Sequence, residues 1–397
     1  MSLKRQLLVS FGLQGAGAAA VLLATLLLGA RLGPEVQGAF SHIKAEIEFI
    51  AAFAMFGLPQ ALFFYVKSGA MSGRAALRWA LGCALLALPV AAVYACWRHA
   101  DEGAVAGVQL SLAVAAAVAH GQLRALLLVR ERTAWFNVIT ALPQLLVLLG
   151  VLHVVARGAV DAPAWFALFA LACGVAAVIS WARLRSVPEL PTTAAQVGWR
   201  ALGHYGLAAW LTAALVTAAI LLVQRWVEAS QGRVALGQFT MAMTLVQVPL
   251  TPISYAAPLL LRRWMERPGA AASRRVAAAM FGLLLGAALL VWVVASAWPD
   301  LGLGTAYAGA TRALAVLLAG AAAEAASRVL TVQASASGLP WIAVRAEAAR
   351  WAVLAIGWLA LPAPTLLPVC AVWAVGAWAA AGVFVAVARA DVQRGTR

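Results

Sequence analysis

The chain has 397 residues, of which 64% are apolar and 11% charged, with a formal net charge of +15. Soluble domains carry roughly a quarter charged residues, so this composition excludes a water-soluble fold and points to a bilayer as solvent. The basic residues form neither one face nor one tail but recur in small clusters between apolar runs, which excludes a nucleic-acid partner and reads as topology-setting charge.

A membrane span needs about 20 mainly apolar residues. Read that way, the sequence predicts twelve helices, near 7–30, 40–64, 75–96, 103–129, 134–156, 163–182, 203–223, 235–261, 276–297, 306–332, 341–361 and 366–388. The first follows Lys4 and Arg5 and is too long for the apolar region of a signal peptide, so an uncleaved span is expected. Its Gly12, Gly15 and Gly17, beside Gln14, permit close approach of a neighbouring helix or ligand.

An ionisable side chain inside a span costs about 2.5–3.5 kcal/mol and marks a candidate functional position. Helix two opens with Lys44 and Glu48, four apart on one face, either lining an outward cavity or neutralising each other at the interface. Helix four carries His120, Gln122 and Arg124. His153 and His204 sit near span ends. Helix eight holds Pro249, Pro252 and Pro258, each lacking a backbone donor, so a kink there is either static or part of a gate. Helix ten carries Glu324 and Arg328, four apart and able to pair. Arg124 and Arg328 suit capture of a substrate anion, because the guanidinium fork matches phosphate oxygens; the alternative is that both only set topology. Glu324 and His120 are the candidates for a coupling proton, and Glu48 for charge pairing. Glu347 and Arg350, early in helix eleven, are expected at the interface.

Cys83, Cys96, Cys173 and Cys370 fall in or beside apolar runs without metal-ligand spacing, and read as small buried hydrophobes. The chain shows no Walker A sequence, HExxH or nucleophile elbow. No cofactor, metal or catalytic residue is expected, and an ATP-driven pump is excluded for the single chain.

With the N-terminus inside, Lys and Arg favour the inner loops by roughly three to one. This predicts both termini in the cytoplasm. Lobes are expected at 1–186 and 203–397, joined by a cytoplasmic linker at 187–202. Gly12-Leu13 and Arg31 match Gly206-Leu207 and Arg225 at an offset of 194; Gly38, Phe40 and Pro59 match Gly237, Phe239 and Pro258 at 199; Arg124 matches Arg328 at 204. The first change of offset reads as a five-residue insertion in the loop after the seventh helix. Matched helices lie six apart in order, so the halves form a parallel repeat, an arrangement that builds transporters.

The segment from Leu32 through Gly-Pro-Glu-Val-Gln to Gly38-Ala-Phe-Ser, and the following apolar helix ending Phe56-Gly-Leu-Pro-Gln, resembles the opening of Wzx-type polysaccharide flippases of the multidrug/oligosaccharidyl-lipid/polysaccharide exporter superfamily. The resemblance covers the whole chain in topology and about the first 70 residues in motif. It implies two six-helix lobes around a central cavity in the bacterial inner membrane. It also implies transfer of a polyprenyl-pyrophosphate-linked oligosaccharide from inner to outer leaflet for O-antigen, lipopolysaccharide or related surface polysaccharide. Its implied partners are membrane lipids, the lipid-linked substrate, a polysaccharide polymerase and glycosyltransferases. The chain is short for that family and leaves no room for fourteen spans. The alternative is a cation-coupled drug or small-molecule exporter of the same superfamily, which needs deep acidic residues; here Glu324 qualifies, while Glu46 and Glu48 lie nearer the outer end. An enzyme would need a large extramembrane loop or an acid cluster, and the sequence shows neither.

Overall fold

The computed structural model describes residues 3–67, 69–129, 133–158, 162–185, 199–266, 270–297, 307–337 and 339–395. All regular elements among them are helical. They are α1 (Leu3–Ala54), α2 (Leu58–Lys67), α3 (Gly73–Arg98), a 3-10 turn (Ala100–Glu102), α4 (Gly103–Val129), α5 (Thr133–Arg157), α6 (Ala162–Arg185), α7 (Trp199–Glu266), α8 (Ala270–Ala297), α9 (Ala308–Ala336), α10 (Trp341–Ala360) and α11 (Leu366–Gly395). Nine helices among the described residues are long and apolar enough to cross a bilayer. The protein is a multi-pass, all-α membrane protein.

Two of those nine, α1 and α7, are double. Each bends at one glycine, Gly33 (φ 87°, ψ 171°) in α1 and Gly232 (φ 83°, ψ −179°) in α7. Counting their arms separately, and adding α10, whose Arg345, Glu347 and Arg350 lower its hydropathy, gives the twelve expected spans. The loops expected between spans one and two and between seven and eight are absent. Helix runs up to each glycine and resumes after it, so the inserted residues lengthen α7 rather than a loop. Gly33 and Gly232 are separated by the same offset as Gly38 and Gly237. The repeat is therefore legible in backbone geometry, since the two bends use almost the same glycine-only conformation.

The chain divides into two compact units, and neither is one run of sequence. The first comprises residues 1–27 and 40–217, the second 28–39 and 218–397. In the first unit, α4 packs on α3 and α6. A stripe of buried alanines on α3, Ala76, Ala80, Ala84, Ala87, Ala91 and Ala95, lets α4 come close. Phe40 lies 4.9 Å from Trp165 and 5.5 Å from Phe169 between ring centroids. In the second unit, α9 packs on α8 and α11. There the second arm of α7 meets residues 34–38 backbone to backbone. A Cβ on Gly38 would stand 2.9 Å from Gly237 N, and one on Gly237 would overlap the carbonyl of Pro34. Gln37 Nε2, fully buried beside this contact, donates to Thr240 Oγ1 at 2.8 Å.

The second span also departs from expectation. It stops at Ala54 and restarts at Leu58. Pro59 has no N–H to offer the carbonyl four residues back, Met55, which instead accepts from Leu58 N at 3.0 Å. Phe56 (φ 49°) and Gly57 (φ 65°) take left-handed conformations. The interrupted carbonyls find side-chain donors from three helices: Trp210 Nε1 to Phe53 O at 2.7 Å, Cys83 Sγ to Ala54 O at 3.1 Å, and Gln122 Nε2 to Met55 O at 3.4 Å. In hydrocarbon no water could replace them.

Substitution of the bend glycines separates strain from crowding. A Cβ at Gly33 or Gly232 meets nothing within 4 Å, so alanine there costs only the left-handed backbone, about 1–3 kcal/mol. Alanine at Gly237 collides with backbone and should lower the melting temperature of the purified protein more than Gly33→Ala or Gly232→Ala does. Equal melting of all three variants would contradict this close approach.

Candidate functional site

The second unit holds a charged cluster inside its spans. Glu324 and Arg328 face the same way on α9, and Arg328 Nε lies 3.1 Å from Glu324 Oε1. Glu324 Oε2 pairs with Arg350 Nη2 from α10. Arg350 Nε in turn lies 3.3 Å from Glu347 Oε2, three residues earlier on its own helix. Two carboxylates and two guanidiniums make the set neutral, as burial in apolar surroundings demands. The second arm of α7 adds Ser254 Oγ, 2.9 Å from Arg328 Nη1, and Gln247 Oε1, 3.4 Å from Arg328 Nη2.

The members differ in access. The side chains of Glu324, Glu347 and Arg350 are 6%, 9% and 2% exposed, whereas that of Arg328 is 28% exposed. What the cluster presents outward is therefore mainly a guanidinium. Its carboxylates are covered.

Glu347 and Arg350, expected at the interface, are buried. The sequence held a signal for this. The buried positions of α10, Ala343, Ala346, Glu347, Arg350, Leu354 and Gly357, recur every three or four residues on one face, and the face includes both charged residues. A helix lodging a charged pair on its small-residue seam buries that pair in protein rather than turning it to the membrane surface. Gly376 on α11 accommodates the arginine, since a Cβ there would stand 3.1 Å from Arg350 Cγ.

The corresponding site of the first unit is simpler. Arg124 Cζ lies 5.7 Å from the Phe136 ring centroid, and His120 Nε2 pairs with Ile139 O at 3.0 Å, so both turn toward α5. His120 is the counterpart of Glu324 at the same offset of 204 that relates Arg124 to Arg328. Lys44 and Glu48 pair at 2.9 Å, with side chains 36% and 54% exposed. Pro249, Pro252 and Pro258 all lie within α7, whose only residue outside helical geometry is Gly232. Of the cysteines, Cys83 and Cys370 are buried as expected, but Cys96 is exposed. Beside the break in the second span lies a cavity of about 610 Å³, lined by Phe56, Leu58, Arg78, Trp79, Cys83 and Leu86 among others. Nothing along the chain marks this cavity, because it depends on the helix break.

No known family model matches the chain, and no curated protein matches it. Solved structures do. A MATE transporter in complex with MaL6 superposes with a TM-score of 0.70 at 14% identity, over 98% of this chain and 96% of that one. A MOP superfamily transporter from Pyrococcus furiosus, described as having a binding pocket of reverse polarity that suggests a different function, superposes with 0.69 at 14% identity, over 99% and 97%. An outward-facing multidrug resistance MATE family transporter of the MOP superfamily gives 0.68 at 15% identity, over 98% and 96%. The chain has the fold of these transporters.

Loss of Arg350 alone should leave Glu324 and Glu347 facing one arginine, at a cost of about 3–5 kcal/mol. Arg350→Met should therefore melt well below the wild type, and adding Glu347→Gln should recover part of the loss. An Arg350→Met protein as stable as the wild type would contradict the buried network.

Proposed function

We propose that the protein is a flippase that moves a polyprenyl-pyrophosphate-linked oligosaccharide from the inner to the outer leaflet of the bacterial cytoplasmic membrane, for surface polysaccharide assembly. The observation that carries this reading is the unequal access within the second unit's cluster. Arg328 is the member that a ligand meets, held in orientation by Glu324, Ser254 and Gln247. A pyrophosphate suits that surface and an organic cation does not. Each charge-assisted bond to phosphate contributes roughly 1.5–3 kcal/mol. Arg124 plays the equivalent part in the first unit, in keeping with its matched place in the repeat. The cavity beside the helix break, apolar except for Arg78, suits an isoprenoid chain with an anionic head. No covalent chemistry is required. Both termini lie in the cytoplasm on this reading, and the inside-negative potential favours outward movement of an anion by about 2.3 kcal/mol per charge per 100 mV.

The second reading, cation-coupled small-molecule export, draws on the multidrug transporters that share the fold. It requires a deep carboxylate free to bind a cation or proton. Glu324, the deep carboxylate of the second unit, is already occupied by two guanidiniums, and Glu46, the buried carboxylate of the first unit, is engaged by Tyr94, His42 and His99.

The two readings diverge on mutation. Arg328→Ala or Arg124→Ala should cut surface glycan about tenfold to a hundredfold while the protein still reaches the membrane. Lys at either position keeps the charge, loses the fork and should restore glycan only in part. Normal glycan from the double Ala variant, at normal expression, would overturn the anion-binding role of both arginines and leave them as topology signals.

A further inference from the structure

One face of α3 lines a slot. Ala75, Arg78, Trp79, Gly82, Cys83 and Leu86 recur every three or four residues and so share a face, and all of them border the cavity of about 610 Å³ beside the helix break. By helical rise the run from residue 75 to residue 86 is about 16 Å long. Further lining comes from Phe56 and Leu58, on either side of Gly57 at the break, and from Gly203 of α7.

The slot opens sideways. Phe56, Trp79 and Leu86 are 46%, 46% and 63% exposed although each is large and apolar, so what they meet within a span is lipid. Near the start of α3, Arg78 is exposed at the same slot, and among the described residues no carboxylate pairs with it. Elsewhere in the spans charges are matched, Glu324 with Arg328 and Arg350, and Lys44 with Glu48. An arginine next to an exposed tryptophan, near the end of a span, stands at headgroup level. There the partner its fork fits is a phosphate.

Gly82 keeps the slot deep. Glycine weakens a helix interior relative to alanine, and a close neighbour is the usual reason for it. Here a Cβ would meet nothing within 4 Å, so no neighbour demands the glycine. What its missing side chain leaves is room between Trp79 and Leu86, the neighbours on the same face.

One cation and one slot match an amphiphile with a single phosphate-bearing head and a single chain. A diacyl phospholipid would leave its second chain outside, and a free phosphate would leave the apolar walls uncovered. We infer that this slot, with Arg78 at its mouth, is a binding site in the first unit for the polyprenyl chain of the cargo and the phosphate attached to it, reached from the surrounding bilayer. The identity of the occupant rests on the flippase reading; the site itself shares no residue with Arg328, Arg124 or their partners. On the topology proposed above, α3 starts at the cytoplasmic side, so the head lies at the inner leaflet and the chain runs toward the middle of the span.

A short-chain polyprenyl pyrophosphate with a diazirine on its chain, photolysed with the full-length protein in phosphatidylcholine nanodiscs, reads the site through mass spectrometry of the labelled peptides. Labels should fall on residues 75–86 and 56–58. Gly82→Leu puts a side chain into the open space and should cut this labelling about tenfold, and Arg78→Gln, which keeps the slot and removes the cation, should do the same. The corresponding neutral polyprenol should label the wild type about tenfold less. Should Gly82→Leu fail to fold, Arg78→Gln carries the test, since its side chain is exposed. Labels elsewhere, labelling unchanged in both variants, or competition by phosphatidylglycerol as strong as that by unlabelled polyprenyl pyrophosphate would overturn the assignment. The two proposals fail separately. Loss of labelling in Gly82→Leu together with normal glycan in the Arg328→Ala, Arg124→Ala variant supports the slot and sinks the role of those arginines. Glycan that depends on them, with Gly82→Leu and Arg78→Gln labelled like the wild type, sinks the slot alone.

Discussion

In hydrocarbon, a polar group without a partner inside the protein has no partner at all. That single constraint shapes this structure more than the packing of its abundant apolar residues. Hydroxyls within spans bond back to the carbonyl four residues earlier, as Thr25 does to Val21, Ser180 to Ala176 and Thr251 to Gln247. The break in the second span recruits an indole, a thiol and an amide to cap its carbonyls. In the Glu324 cluster two carboxylates and two guanidiniums offset one another, because a lone buried charge would cost several kcal/mol. There burial and partnership occur together.

The same constraint explains why so much was legible in advance. Spans were visible as apolar runs, and pairs such as Glu324–Arg328 and Lys44–Glu48 as charges one helical turn apart, since both depend on spacing along one helix. What stayed hidden depends on other helices. Arg350 reaches Glu324 across a helix–helix contact, and the charged residues at its end of α10 looked like interface residues when judged only by distance from the span's start. The break at Phe56 and Gly57 was masked because its sequence remains apolar and its cost is met by Trp210, Cys83 and Gln122 from elsewhere. The bends at Gly33 and Gly232 read as loops because both glycines fall between the apolar runs. In fact one residue in an extended left-handed conformation suffices to join two helices.

The repeat has diverged where function would act. The bends are nearly superposable in φ and ψ, yet the position that carries Glu324 in one half carries His120 in the other. The second half thus sets a carboxylate between the arginine that both halves share, Arg328, and a further one, Arg350. The first half keeps an arginine over an aromatic ring and places its buried carboxylate at Glu46 instead. The pseudo-symmetric scaffold and the asymmetric charge are separable features. The scaffold is shared with transporters of the MATE type, while the charge set argues for an anionic cargo.

That central claim is tested most directly by affinity. The purified protein in nanodiscs would be titrated with a short-chain polyprenyl pyrophosphate, with the corresponding neutral polyprenol, and with a lipophilic cation such as tetraphenylphosphonium, for the wild type and for Arg328→Ala. The account predicts tightest binding of the pyrophosphate to the wild type, and loss of about tenfold or more of that preference in Arg328→Ala. Equal affinity for pyrophosphate and polyprenol, or a preference for the cation that Arg328→Ala leaves unchanged, would contradict it.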